Sequence, residues 1–261
     1  MACPFGAGDD IMHGPFKILA IAALALSLPV AAAVAAEIKL MCPAPMRTTI
    51  VELVAQFERA SPHKVTIVHT PSRMIIERIQ GGEAFDVSIL TAEATNALIK
   101  QGKVARRIDI ARSSIGLGVR AGTPKPDVSS AEAVKRALLA AKSFARNEGA
   151  ESGKHMLAVF DRLGIAEEMK GKTKAMPVNT GYVAELVARG EADLAAQQMP
   201  ELKALPGIEA MPLPPELQLI IMFSAGISAA PAAPDAVNAL VQFLSSPEAA
   251  SVLRSKGLDV P

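Results

Sequence analysis

Glu37-Ile38-Lys39-Leu40-Met41-Cys42-Pro43-Ala44-Pro45-Met46-Arg47 decides the fold class, because a short β-rich run stops at two prolines and gives way to a helical period. The helix reads over residues 47–58, with Ile50, Val51, Val54 and Phe57 on one face. The same unit then repeats. A strand at 64–69 leads into a helix at 72–80 stopped by Gly81-Gly82, and a strand at 86–90 leads into a helix at 92–100 ended by Gly102. Strands alternating with amphipathic helices at this spacing specify parallel α/β layers.

A further strand at 113–119 runs into Gly122-Thr123-Pro124-Lys125-Pro126, a turn-rich stretch that marks a boundary. Beyond it Ser129 and Glu132 have capping-box spacing for a helix through Ala141. A second alternating set follows, with elements at 143–145, 152–163, 174–176, 180–188 and 193–197. After Pro212, Pro214 and Pro215 an apolar strand reads over 217–228, then helices over 234–244 and 247–256. These last helices have no sheet of their own and are expected to dock on the first set. The expected architecture is therefore α/β and two-lobed, each lobe a mostly parallel sheet flanked by helices. Lobe 1 is discontinuous, 37–118 plus 218–261, lobe 2 is 119–217, and two hinge crossings fall near 117–122 and 213–218.

Composition narrows the function classes. The chain has 261 residues, 50% apolar and 20% charged, enough to bury a large core, which excludes a disordered protein. Its formal net charge of +1 gives no basic field for nucleic acid. Aromatic residues are only 3%, with no Trp and one tyrosine, Tyr182, so the stacking platforms used for sugars and unpaired bases are missing.

Residues 18–36 carry no charge, follow Lys17 and precede Glu37. A membrane anchor of this length competes with an export signal, and Pro29 with the closing Ala33-Val34-Ala35-Ala36 favours the signal. Residues 1–36 are expected to be a signal peptide cleaved near Ala36, placing the mature protein in the periplasm. Asp9 and Asp10 are out of place in a positive leader, which points to translation from Met12. Cys42 is then alone in the mature chain and reads as a small buried residue at a strand end.

The usual catalytic constellations are absent from the sequence: no Walker loop, no HExxH, no CxxC, no GxSxG. His63, His69 and His155 are too scattered to suggest a triad or a metal set, so no catalytic residue, metal or cofactor is expected. What remains is chemistry at four strand-to-helix junctions, where unsatisfied N–H groups and the positive helix end favour an anion. They are Cys42–Thr48, Thr70-Pro71-Ser72-Arg73-Met74, Ala150-Glu151-Ser152-Gly153-Lys154 and Pro177-Val178-Asn179-Thr180-Gly181. Ser72, Ser152 and Asn179 or Thr180 also read as ordinary helix caps. Arg47, Arg73 and Lys154 sit in first turns, where a cation opposes the helix dipole by about a few tenths of a kcal/mol. Three such placements suggest an anion between them.

Several of these stretches together resemble a family. Thr70-Pro71-Ser72-Arg73 opening a helix that ends Gln80-Gly81-Gly82, then Glu83-Ala84-Phe85-Asp86-Val87-Ser88-Ile89, is similar to the periplasmic molybdate-binding proteins. The stretch 149–153 before a helix ending Asp161-Arg162-Leu163-Gly164, and the closing Ser245-Ser246-Pro247-Glu248-Ala249-Ala250, look like the same family. The resemblance covers nearly the whole mature chain. It implies a type 2 periplasmic binding fold and the substrate-binding subunit of an ABC importer. The family's oxyanion serine matches Ser72, and its second-lobe amides match Ser152, Gly153, Asn179 and Thr180. Pro45 stands where the family has its first serine, and Gln197-Gln198 where it has a tyrosine.

The candidate ligand-binding set is thus Pro45, Arg47, Ser72, Arg73, Met74, Ser152, Gly153, Lys154, Asn179, Thr180 and Gln198. The expected function is capture of a small anion between two lobes and delivery to the membrane permease of an ABC importer, by a monomer. Three cations around one crevice place an organic carboxylate slightly ahead of molybdate, tungstate or sulfate. A non-transport anion sensor and a periplasmic enzyme on the same fold, using Cys42 or a histidine, remain as alternatives.

Overall fold

β1 (Glu37–Cys42) is apolar where the sheet covers it, and Pro43 ends it because a proline has no N–H for the ladder. A tight 3-10 turn (Ala44–Met46) then delivers the chain into α1 (Arg47–Ala60). The computed structural model describes residues 35–177 and 181–261. In chain order there follow β2 (Lys64–His69), α2 (Ser72–Gln80), β3 (Val87–Thr91), α3 (Ala92–Lys100) and β4 (Val104–Arg120). Next come α4 (Ala131–Ala140), β5 (Phe144–Glu148), α5 (Glu151–Leu163), α6 (Ala166–Lys170), β6 (Thr173–Pro177) and α7 (Ala184–Ala188). The last part holds β7 (Leu194–Gln198), α8 (Met199–Lys203), β8 (Ile208–Pro212), β9 (Ile220–Ser228), α9 (Pro234–Leu244), α10 (Pro247–Ser255) and β10 (Leu258–Asp259).

Strand order is β2-β1-β3-β9-β4-β7-β5-β6, with β8 and β10 also paired to β4. The α/β alternation read from the sequence holds. Parallel pairing is confined to β1 with β2 and β3, and to β5 with β6 and β7. Elsewhere the sheet is antiparallel, because β9 returns between β3 and β4, and β7, β8 and β10 all run against β4. Each parallel set is thus bordered by antiparallel strands, a mixed arrangement that sequence periodicity does not reveal.

β4 is the axis of the molecule. The sequence reading recovered only its second half, 113–119, because Arg106, Arg107, Asp109 and Arg112 interrupt the apolar pattern. These charges are held in place: Ser224 Oγ donates to Asp109 Oδ1 at 2.6 Å, and Arg112 Nε donates to the Val260 carbonyl at 2.8 Å. Positions from Val104 to Ser114 pair with β9, and positions from Ile115 onward with β7 and β8.

On α1 the buried stripe is Ile50, Leu53, Val54 and Phe57, the i, i+3, i+4, i+7 spacing. Val51, expected on that face, is 47% exposed, and Leu53 takes its place. α9 and α10 pack on α1, where the Phe57 and Phe243 ring centres are 5.8 Å apart and Lys256 reaches Glu52 at 2.7 Å. His63 stacks on Phe57 with centroids 6.1 Å apart. Among the described residues no helix is long and apolar enough to cross a membrane.

Candidate functional site

Sheet register brings two sets of strand ends together. Thr91, the last residue of β3, lies opposite Phe223, which in turn lies opposite Ala111 on β4. Gln198, the last residue of β7, lies opposite Ile115. The carboxyl ends of both parallel sets therefore converge on the middle of β4. In open α/β sheets ligands bind in the crevice outside these ends. α8, which follows β7 directly, packs against the turn Ala44–Met46 that follows β1.

Two side chains at strand ends, Cys42 and His69, and Tyr182 before α7 are within electrostatic reach of one cation here. Burial pushes the Cys42 thiol far above its ordinary range, with Arg47 pulling the other way. Burial and then Arg47 hold His69 below its ordinary value, opposed by the Cys42 backbone. Burial and then the Glu201 carboxylate raise the phenol of Tyr182, and Arg47 again opposes them. Arg47 is thus within electrostatic reach of the ends of β1 and β2 and of Tyr182, which precedes α7. Pro45, half-buried in the turn just before it, shapes this wall by fixing the backbone.

The other two cations are exposed, as Arg47 is, but each is paired on its own helix. Arg73 has an 89% exposed side chain and pairs with Glu77 of its own helix at 2.8 Å. Lys154 is also exposed and stands 3.5 Å from Glu151 one turn away. Each has a carboxylate partner on its own helix surface, so the structure brings one of the three expected charges, Arg47, to the junction of both strand sets.

Ser72 and Ser152 do not occupy cap positions. The residues before the first turns are Pro71 and Ala150, and Ser72 and Ser152 lie within the helices. Ser72 is half-buried and Met74 is 43% exposed on the same α2 turn. Ser152 is 1% exposed, and Gly153 is pressed onto β5 so closely that an added Cβ would lie 1.7 Å from the Asn147 carbonyl oxygen. Only glycine admits that approach, which sets the start of α5 against the end of β5. Asn179 and Thr180 lie outside the described residues.

The sequence reading missed Tyr182, His69, Asn147 and Glu201. Asn147 is buried at the end of β5, with its Oδ1 unpartnered. Glu201 is 6% exposed, and its Oε2 accepts from the backbone N–H of Gln198 at 3.2 Å. Burial pushes its carboxyl up to about 7, against the Gln198 N–H and the neighbouring Gln197 amide. Gln198 itself is 6% exposed, and the side chain of Gln197 accepts from the Ala184 N–H at 3.0 Å, tying β7 to α7. One signal was available: Gln198-Met199-Pro200-Glu201 after a strand has the N-cap, proline and N3 acid of a helix start.

Comparison with known proteins bears on the family and the fold. The sequence profile of the bacterial extracellular solute-binding protein family matches residues 38–259. The chain is 34% identical over 218 residues to an aconitate isomerase from a Pseudomonas species, spanning 80% of this chain and 82% of that one. It is 25% identical over 241 residues to the molybdate-binding protein ModA of Azotobacter vinelandii, spanning 91% and 95%. Among solved structures, the periplasmic molybdate-binding protein of Azotobacter vinelandii superposes with a TM-score of 0.72 at 19% identity, covering 86% of this chain and 99% of that one. The sulfate-binding protein SubI of Mycobacterium tuberculosis gives 0.63 at 17% identity, covering 85% and 86%. The fold is that of the two-lobed periplasmic binding proteins.

Proposed function

The chain belongs to the bacterial extracellular solute-binding protein family, and from that premise we propose that it captures a small organic carboxylate and delivers it to the permease of an ABC importer. Residues 1–36 act as the signal peptide, and the mature monomer works in the periplasm. The lobes are 37–118 plus 218–261 and 119–217, closing about the two crossings.

The observation that carries this reading is Arg47 at the junction of both strand sets, with His69, Tyr182 and the polar strand ends around it. A tetrahedral oxyanion needs only a shell of neutral N–H and O–H donors, whereas a carboxylate suits a planar guanidinium. The relative named for aconitate, a tricarboxylate, supports the same choice. Ser72, Ser152, Gly153, Asn179, Thr180 and Gln198 would supply neutral donors, and Arg73, Lys154 and Met74 the rim. Calorimetric titration with cis-aconitate, trans-aconitate, molybdate and sulfate tests it. Heat with the carboxylates is the expected result, and binding of the oxyanions alone would defeat the proposal.

A second reading is favoured by that relative and by a buried acid near neutrality: isomerase activity on an unsaturated carboxylate. One group takes a proton from an allylic carbon, the electron pair shifts along the allylic system, and a proton returns at the far carbon, so no atom is gained or lost. A carboxyl poised near the working pH suits such a transfer. Incubating the pure protein with cis-aconitate in deuterated buffer and following the spectrum by NMR decides it. Neither isomer conversion nor deuterium uptake means that the protein binds without reacting.

A further inference from the structure

Among the described residues Glu201 is buried with no ion-pair partner. Its Oε2 receives the Gln198 N–H at 3.2 Å, so the carboxyl lies at the end of β7, where the strand ends converge. α8, which carries it, rests on the turn preceding Arg47. Tyr182 is within electrostatic reach of both Glu201 and Arg47.

Among the described residues the other neighbours of α8 bring no cation to it. On β4 the residues beneath it are Gly116 and Gly118, where an added Cβ would run into Met199 and Leu202. On β8, Glu209 is engaged by Lys125 at 2.6 Å. On α7, Glu185 pairs with Arg189 at 3.6 Å, and on α8 itself Lys203 is exposed and lies along Gly257. Cys42, across the turn, stays a neutral thiol, and His69 is held towards its neutral form.

An anion drawn to Arg47 therefore brings negative charge toward a carboxyl that has no cation partner among the described residues. Glu201 is itself buried, so negative charge brought near it disfavours its ionised form further, and protonation of the carboxyl relieves the conflict. We infer that Glu201 binds one proton for each carboxylate ligand captured, acting as a neutral hydrogen-bonding acid in the closed site. This rests on the carboxylate reading above and adds its regulation: capture is favoured in acid and release in alkali.

Burial places the free carboxyl near 7, so a linked proton weakens apparent affinity about tenfold between pH 6 and pH 8. The full-length mature protein is titrated with trans-aconitate at pH 7.5 in HEPES and in Tris, buffers of different ionisation enthalpy. The difference in heat between the two gives protons taken up per ligand. A group near 7 is already about a quarter protonated at pH 7.5, so about three-quarters of a proton in the wild type, and none in Glu201→Gln with a flat pH dependence of affinity, is the expected result. The wild-type count alone is informative where the variant fails to fold. Binding without proton uptake overturns the inference and leaves the carboxylate reading standing. Uptake that persists in Glu201→Gln assigns the proton to another group and also overturns it. No binding of trans-aconitate by the wild type removes both.

Discussion

Gln218 holds Ile115 through both of its backbone groups: Oε1 accepts the Ile115 N–H at 2.7 Å, and Nε2 donates to the Ile115 carbonyl at 3.0 Å. The same amide donates to the Leu213 carbonyl at 3.1 Å. One side chain therefore ties the middle of β4 to the segment by which the chain returns between the two strand sets. His155 Nε2 lies 2.7 Å from the Leu217 carbonyl, and Arg162 donates to the Glu216 carbonyl, so α5 braces the same segment. Gln218→Ala is expected to lower stability by about 1 to 3 kcal/mol, the range for leaving buried backbone groups unpaired. Denaturant unfolding measures it, and no change would show that water replaces the amide freely.

Gly153→Ala introduces a methyl group where the Asn147 carbonyl lies 1.7 Å away. Either α5 or the end of β5 must move. A loss of about 1 to 3 kcal/mol or more is expected from the overpacking, together with weaker ligand binding, because the start of α5 leaves its place. An unchanged melting temperature would contradict the close approach.

The Glu201 contribution to stability should fall as pH rises from 4.5 through about 7, while the lowered His69 works in the opposite sense. The folded state holds Glu201 up at about 7 against an ordinary 4.5, so it prefers the protonated form. A raised carboxyl contributes its stability below the ordinary value and loses it as pH climbs through the folded one. The group contributes a slope amounting to roughly 3 kcal/mol, and Glu201→Gln should remove it. Glu83 acts in the opposite sense: Arg78 and then Lys39 hold it down at about 2, so its contribution is lost as pH falls from 4.5 toward 2. Thermal melts of both proteins across pH check this, and parallel curves would contradict the assignment.

Cys42 tests the alternative of a thiol enzyme. It is fully buried and its thiol is pushed far up, so little thiolate is available. Labelling by a thiol reagent in the native state should be slow and should speed up sharply on unfolding. Rapid native labelling would revive the reactive-thiol reading.

The fold was legible wherever apolar period and punctuation agreed, as in β2, α2, α3 and α9, whose limits match the sequence reading. It was not legible in β4, where tertiary partners such as Ser224 and the Val260 carbonyl accommodate charges that look like a loop. The α4 cap fell one residue later than read: Ser130, not Ser129, accepts the third N–H of the helix. At the site, Arg47 was legible as a cation in a first turn, but so were Arg73 and Lys154, and sequence cannot show that those two find carboxylates on their own helices. Glu201 was hidden because an acid in a short helix reads as a cap until its burial is known.

Arg47 carries the central claim, and calorimetry of Arg47→Ala against wild type tests it most directly. With trans-aconitate as ligand, the loss should be about 1.5 to 3 kcal/mol, the range for a charge-assisted hydrogen bond. Arg73→Ala, whose guanidinium already pairs with Glu77, should change binding less. Tight molybdate binding that survives Arg47→Ala unchanged, with no heat from any carboxylate, would contradict the account.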